Sequence, residues 1–553
     1  MTMFQQKKLA VLVASALTLG LGVNVALAQT FTQGPSSSAT PYMNNSAVPG
    51  MNTYVGNSAT PTSSSPTASF TSILTVGDAA GNGYKMAGIP DGLGAFDNGN
   101  GTFTLLMNHE IGAGLGIARG PLTNGAFVSQ WVIDKSTLSV VSGQNAITNL
   151  NTWNYTTQSF VSGGTTSFSR FCSSDLAAPT AFYNSNTGLG YNGGRIYMTG
   201  EESGTAGRAT ATVVSGANAG QLYQLPSLGR YSFENAVANP YMQNKTIVAT
   251  TDDTSGTGNG KVYIYVGDKQ ATGNAIEQAG LQGGQKYVIA VNGSTQETRL
   301  GGVGSATTFT LAALPDQRTV TSNTNGQANT AGGTSFLRPE DIAWDPKSPN
   351  KMYFTTTDQF DQVKDGVGAT VGRSRVWRMT FSDLSNPTLG GTVEMVVDGA
   401  GPGQMFDNLV VDKDGNLILQ EDVGGQAHNG KVWKFDTTSN TLSMIAGFDK
   451  ARFGDIGVAA VAPFNNDEES SGVIDVTDMF TGVAGYDTAK NRYYLLDAQA
   501  HYGITGPDGL VEGGQLLLMT QPVPEPSTYA LMGLGLGLMG FVARRRKQKA
   551  VQA

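Results

Sequence analysis

The chain predicts an all-β protein, a β-propeller of six blades with loop insertions, on three observations. Six apolar, β-branched and aromatic runs each end in an acid. Acids recur in pairs across a down-and-back excursion of two short strands. Seventy-three glycines, 14% charged residues and little helical periodicity suit a loop-rich sheet protein.

The six runs, in chain order, are Thr104 to His109-Glu110, Ile196 to Glu201-Glu202, Thr246 to Asp252-Asp253, Met352 to Asp358, Leu417 to Glu421-Asp422 and Tyr493 to Asp497. Turn-forming residues precede each, so each reads as a strand that carries an acid to its exit. Three have a second acid upstream, at the start of another short strand: Phe233-Glu234-Asn235, Pro339-Glu340-Asp341 and Phe406-Asp407-Asn408. A turn of Asn-Pro, Asp-Pro or Asp-Gly type between the two strands returns both acids to one end. Radial packing of six such repeats gathers those ends around one mouth. Acids at strand ends can also serve only to solubilise loops, and for a single position that reading stands beside the functional one.

The ends of the chain are set apart. Lys7 and Lys8 precede an apolar stretch from Leu9 to Leu27 that closes with Ala26-Leu27-Ala28, the form of a secretory signal over 1–28. Residues 29–68 are rich in Ser, Thr, Asn, Pro and Gly and read as a flexible lead-in. The main domain spans 69–521, with polar insertions at 203–221 and 301–333. Residues 522–553 hold Pro524-Glu525-Pro526, an apolar run from Ala530 to Ala543 and Arg544-Arg545-Arg546-Lys547. Fourteen apolar residues are short for a stable span, which needs roughly 20. The segment resembles the PEP-CTERM sorting signal of Gram-negative bacteria, which implies export to the envelope, surface or medium, a sorting machinery as partner, and membrane contact only through this short helix before processing.

Seven of the 34 basic residues and one of the 42 acids lie in these two ends, which leaves the body with 27 against 41, a net charge of −14. That balance disfavours nucleic acid and anionic lipid and suits multivalent cations. One cysteine, Cys172, excludes an intramolecular disulfide. It is a packing residue, a redox liability or a soft metal ligand, and its polar neighbours Ser169, Arg170, Ser173, Ser174 and Asp175 argue against the first. Three histidines, His109, His428 and His501, are too few for a zinc site or a triad and read as structural. Asp412-Lys413-Asp414-Gly415 lacks the further ligands of an EF-hand and reads as a hairpin turn, and 465–472 reads as an acidic loop. Glu201, Glu202, Glu234, Asp252, Asp253, Glu340, Asp341 and Asp407 could supply the oxygens that calcium requires. Arg338 either pairs with an acid or presents its fork to a substrate anion.

Asn108-His109-Glu110, Cys172, Gly200-Glu201-Glu202, Phe233-Glu234-Asn235, Arg338-Pro339-Glu340-Asp341 and the Asp407 to Asp422 repeat together resemble the PhoX family of secreted bacterial alkaline phosphatases. The resemblance covers about Leu105 to Asp422 and, more weakly, the chain on to His501. It implies a propeller with an iron and calcium cluster at one end of its channel, hydrolysing phosphomonoesters without a covalent protein nucleophile. On that resemblance Cys172, Glu234 and Glu340 are iron-side ligands. Glu202, Asp252, Asp253 and Asp407 are mainly calcium-side. Arg338 grips the phosphate, with Glu340 as the second catalytic candidate. The chain departs from the family in having Met198-Thr199-Gly200 where Trp-Gly-Thr and a further cysteine are common, and in lacking a twin-arginine export signal. The competing readings are a non-catalytic, calcium-stabilised surface propeller and a calcium-dependent phytase, phosphodiesterase or lactonase.

Overall fold

The structure is a computed structural model that describes residues 40–44, 52–55, 63–64 and 68–523, apart from 257, 360, 367 and 370. It is a ring of six blades, antiparallel except where Gln221–Gln224 pairs parallel with Asn149–Asn154 on the outer side of the second. The inner strands are Pro90–Asp97, Phe171–Asp175, Phe233–Ala238, Pro339–Trp344, Phe406–Val411 and Glu468–Asp475, and each packs on the next until the sixth meets the first. The second strands are Thr102–His109, Ile196–Glu201, Lys245–Asp252, Lys351–Thr356, Leu417–Glu421 and Asn491–Ile504, so all six acid-terminated runs hold this one place.

Alternation explains why these strands are apolar throughout. A blade is sandwiched between two others, so both of its faces are buried and no polar face is needed. In the sixth blade Tyr493 and Leu495 pack towards the first blade's Phe103, Leu105 and Trp131, while Tyr494 and Leu496 pack towards the fifth blade's Ile418 and Val432. Six apolar clusters fill the six interfaces in this way.

Closure joins the two ends of the domain. Ser69–Thr75 pairs antiparallel with Val511–Pro522 and forms the outer strand of the sixth blade, beside the C-terminal hairpin. The third and fourth blades share an outer strand, Thr308–Ala313, which pairs with both and makes one nine-stranded sheet.

Two expected insertions contain strands. Within 203–221 lies Ala209–Val213, the third strand of the second blade, and within 301–333 lies Thr308–Ala313. Of the expected acidic loop 465–472, residues 468–472 instead begin the sixth inner strand, Glu468–Asp475. Their acids mask a strand because the sheet buries Glu468 rather than exposing it. Among the described residues no helix is long and apolar enough to cross a membrane; the 530–543 segment lies outside them.

Candidate metal centre

Every inner strand carries the same irregularity. Pro90, Phe171, Phe233, Pro339, Phe406 and Ser471 pair with the second strand, and the next paired residue lies three positions on, against two on the partner. The extra residue is a β-bulge, which re-aims a side chain. The first bulged residue in chain order is Asp91, Cys172, Glu234, Glu340, Asp407 and Gly472. Five of six carry a metal-ligating group, at one level of the channel.

The sixth is glycine because nothing larger fits. Gly472 has φ +65°, and a Cβ there would lie 2.8 Å from the Asp91 carbonyl oxygen and 3.0 Å from Asp497 Oδ2. Asp497 lies behind it, fully buried, and among the described residues neither of its carboxylate oxygens has a hydrogen-bond partner.

A second tier lies just beyond the second strands. The N–H groups of Glu110, Glu202, Asp253, Thr357 and Asp422 donate to the carbonyls of Ile89, Arg170, Ser232, Arg338 and Met405, each the residue before a blade's inner-strand anchor. Four of these five positions are acids. Neighbouring residues of an extended chain point to opposite sides, so of each doublet only the second acid belongs to this tier.

Three of the metal candidates have their carboxylates engaged within and between the blades. Glu201 Oε2 accepts from Arg208 Nε at 2.7 Å, and its other oxygen accepts from the Ser169 N–H. Asp252 is fully buried and accepts from Asn325 Nδ2 and Thr254 Oγ1. Asp341, the second residue of its bulge, accepts from Asn235 Nδ2 at 2.6 Å and from the N–H groups of Ile342 and Leu409. All three are engaged in bracing the blades.

The remaining candidates converge. Ligand atoms of Glu234, Glu340 and Asp407 lie within 4.8 Å of one another, as do those of Asp91, Glu110 and Cys172. Cys172 Sγ donates to Glu202 Oε2 at 3.2 Å, so the thiol faces carboxylates and not aliphatic neighbours. Ser173 Oγ donates to Glu234 Oε1 at 2.6 Å. Arg338 binds Asp253 through Nε at 2.8 Å and Nη2 at 3.0 Å, and its Nη2 lies 2.9 Å from Glu340 Oε1. Gln499 Nε2 lies 3.2 to 3.4 Å from oxygens of Asp91, Glu110, Glu469 and Ser471.

The electrostatics of this cage are unfavourable for bare acids. Burial, then the charges of neighbouring acids, hold Asp91, Glu234, Glu340, Asp407 and Glu469 well above the usual carboxylate range, and Glu202 is pushed up to about 7 by burial. Burial followed by Glu110, Glu202 and Glu234 raises the Cys172 thiol. Nine acids (Asp91, Glu110, Glu202, Glu234, Asp253, Glu340, Asp407, Asp422, Glu469) face two arginines, Arg170 and Arg338. Such an excess of buried acid is stable when ionised only with cations to offset it. Many hard oxygens and a single sulfur fit a mixed cluster of hard cations with one softer, thiophilic metal.

Asp91, Glu110 and Glu469 were not among the expected ligands. Pro90-Asp91 offered the same anchor-plus-acid signature as Pro339-Glu340 and is the position that could have been found. The histidines lie elsewhere: His109 is stacked on Phe127 and held neutral by burial, with its pKa lowered to about 3, His428 pairs with Asp365 and His501 with Glu512. A cavity of about 720 Å³ opens at the far end of the channel, lined by Arg195, Lys413 and Asp475, and holds none of these donors.

Fold and site define a six-bladed propeller whose channel mouth holds acidic clusters that could bind metals. Residues 220–467 match the model of the family described as alkaline phosphatase PhoX, and residues 522–547 match the PEP-CTERM protein-sorting motif. The resemblance read from the sequence is thereby borne out, with the class that goes with it, a phosphoric monoester hydrolase of the alkaline phosphatase type. The sorting motif implies export to the envelope or surface of a Gram-negative bacterium. Among solved structures the chain is similar to Pseudomonas fluorescens PhoX in complex with vanadate, at 14% identity and a TM-score of 0.50, covering 85% of this chain and 98% of that one. It is less similar to a Dyadobacter fermentans protein of unknown function, at 6% identity and a TM-score of 0.39 over 83% and 100% of the two chains. No curated protein matches.

Proposed function

We propose that the body from about residue 69 to 521 is an exported phosphomonoesterase that releases phosphate from small organic phosphoesters at an iron and calcium cluster. Residues 1–28 direct export, and 522–553 engage the sorting machinery. The observation that carries this reading is the ring of donors at the first bulge position of five blades, three of which, Glu234, Glu340 and Asp407, lie within the segment that matches the PhoX family. The solved PhoX complex with vanadate, a transition-state analogue, supports the substrate class.

Cys172, Glu234 and Glu340 are assigned to iron, and Glu202, Asp253 and Asp407 mainly to calcium, with Asp91 and Glu110 added from their place beside Cys172. Bound cations supply charge neutralisation and activation of water, which the chain lacks in its own right. The protein's part is to hold these donors on rigid strands and to orient the phosphoryl group through the Arg338 fork. Glu340, 2.9 Å from that fork, fixes where it points.

The test is turnover of p-nitrophenyl phosphate together with elemental analysis of the purified protein. Iron and calcium bound in stoichiometric amounts, with activity lost on chelation and in Cys172→Ala together with the iron, is the expected result. Calcium alone and no turnover would leave a non-catalytic surface propeller. Full activity and full iron in Cys172→Ala would reject the ligand assignment.

A further inference from the structure

We propose that Arg170 is a second substrate-gripping arginine, the counterpart of Arg338 two blades away; the inference rests on the phosphatase reading above. The two residues occupy the same place in their blades. Arg170 directly precedes the anchor Phe171 and Arg338 the anchor Pro339, and both have left-handed backbones, with φ 55° and 56°. Each gives its carbonyl to the residue at the end of its blade's second strand, Glu202 and Thr357 respectively. The six residues in this place are Ile89, Arg170, Ser232, Arg338, Met405 and Ser470, so two of six are cationic.

The left-handed turn aims the side chain across the mouth instead of along the strand. Ile89 and Met405 share it, so it belongs to the blade design; what is particular is that a guanidinium is placed on it twice. Each guanidinium then spans two acids of the cage. Arg170 Nε binds Glu110 Oε1 at 2.6 Å and its Nη2 contacts Glu202 Oε2, as Arg338 spans Asp253 and Glu340. Glu202 and Asp253 are close enough for their charges to interact, so the two arginines belong to one arc of the rim. Arg170 is the more open, 32% exposed at its side chain against 20% for Arg338.

Chemistry asks for such a pair. A phosphomonoester presents three non-bridging oxygens, and one planar fork matches two of them. A second fork from another blade reaches the third oxygen and fixes the rotation of the group about its P–O axis. Glu110 and Glu202, once engaged by cations, would hold Arg170 less strongly and leave its donors to the substrate. The competing role is a brace that only neutralises Glu110 and Glu202.

The experiment compares wild type, Arg170→Gln and Arg170→Lys as full-length, metal-loaded proteins, with p-nitrophenyl phosphate as substrate and inorganic phosphate and vanadate as inhibitors. Loss of one charged hydrogen-bonding fork should raise KM and both inhibition constants by at least about tenfold in Arg170→Gln with bound iron and calcium unchanged, and Arg170→Lys should recover part of it. Inhibition constants within about twofold of wild type, or loss of bound cations in both variants, would overturn the proposal in favour of the brace. Wild type without turnover sinks the phosphatase reading and this inference with it, whereas normal wild-type turnover with an unaltered Arg170→Gln sinks the inference alone.

Discussion

Asp341 shows how much one side chain can do without touching a ligand. Its carboxylate collects Asn235 from the third blade, Leu409 N–H from the fifth and Ile342 N–H from its own strand, directly behind Glu234, Glu340 and Asp407. Three ligand-bearing bulges are thus tied by one buried acid. Asp341→Ala leaves three donors without this acceptor and should cost on the order of 3 kcal/mol or more, measured by denaturant unfolding. Bound cation should fall with it, while Asp341→Asn, which keeps one acceptor, recovers part of both. Unchanged stability in Asp341→Ala would show that the tie carries no weight.

At the scale of the element, the bulge and the closing strand matter most. The bulge places one residue per blade at the same height, so six local irregularities make one ring. The strand Ser69–Thr75 locks that ring, because it hydrogen-bonds to Val511–Pro522 and sends Ile73 and Leu74 into the interface with the first blade. Both side chains are fully buried. Leu74→Ala should therefore cost about 2–5 kcal/mol by removing packed methylene groups. The loss should appear as a lower unfolding midpoint with the denaturant slope retained; a change below about 1 kcal/mol would mean that closure does not depend on this contact.

Across the whole molecule, buried acids set the pH dependence. Outside the cage, burial pushes Asp78 up to about 6 and Glu297 up to about 7, the latter despite the Arg375 guanidinium beside it. In the folded state each holds its proton to higher pH than in the unfolded chain, so the folded state binds more protons and stability falls as pH rises. The fall begins near the ordinary carboxylate values, about 4, and is complete above about 7. Each group contributes on the order of 3 kcal/mol to it at most. Thermal unfolding of metal-free protein between these limits should show the decline, and Asp78→Asn should flatten it. A midpoint that rises through this range would contradict the assignment.

The amino-acid sequence by itself determined the six acid-terminated strands, their number of repeats and the donors available. Apolar runs between turn residues, an acid at each run's end, and the anchor-acid pairs Phe233-Glu234, Pro339-Glu340 and Phe406-Asp407 are local signals, legible because strand ends and turns are set by neighbouring residues. The family resemblance was legible in the same motifs. Tertiary structure alone decided which acid of each doublet enters the channel. Glu202 and Asp253 face it while Glu201 and Asp252 turn away, because successive side chains point oppositely and only the pairing register, reset by the bulge, says which parity faces inward. It also decided that Asp91 and Cys172, 81 residues apart, are neighbours. The first two blades must pack side by side before either meets the other, and no local pattern encodes that meeting.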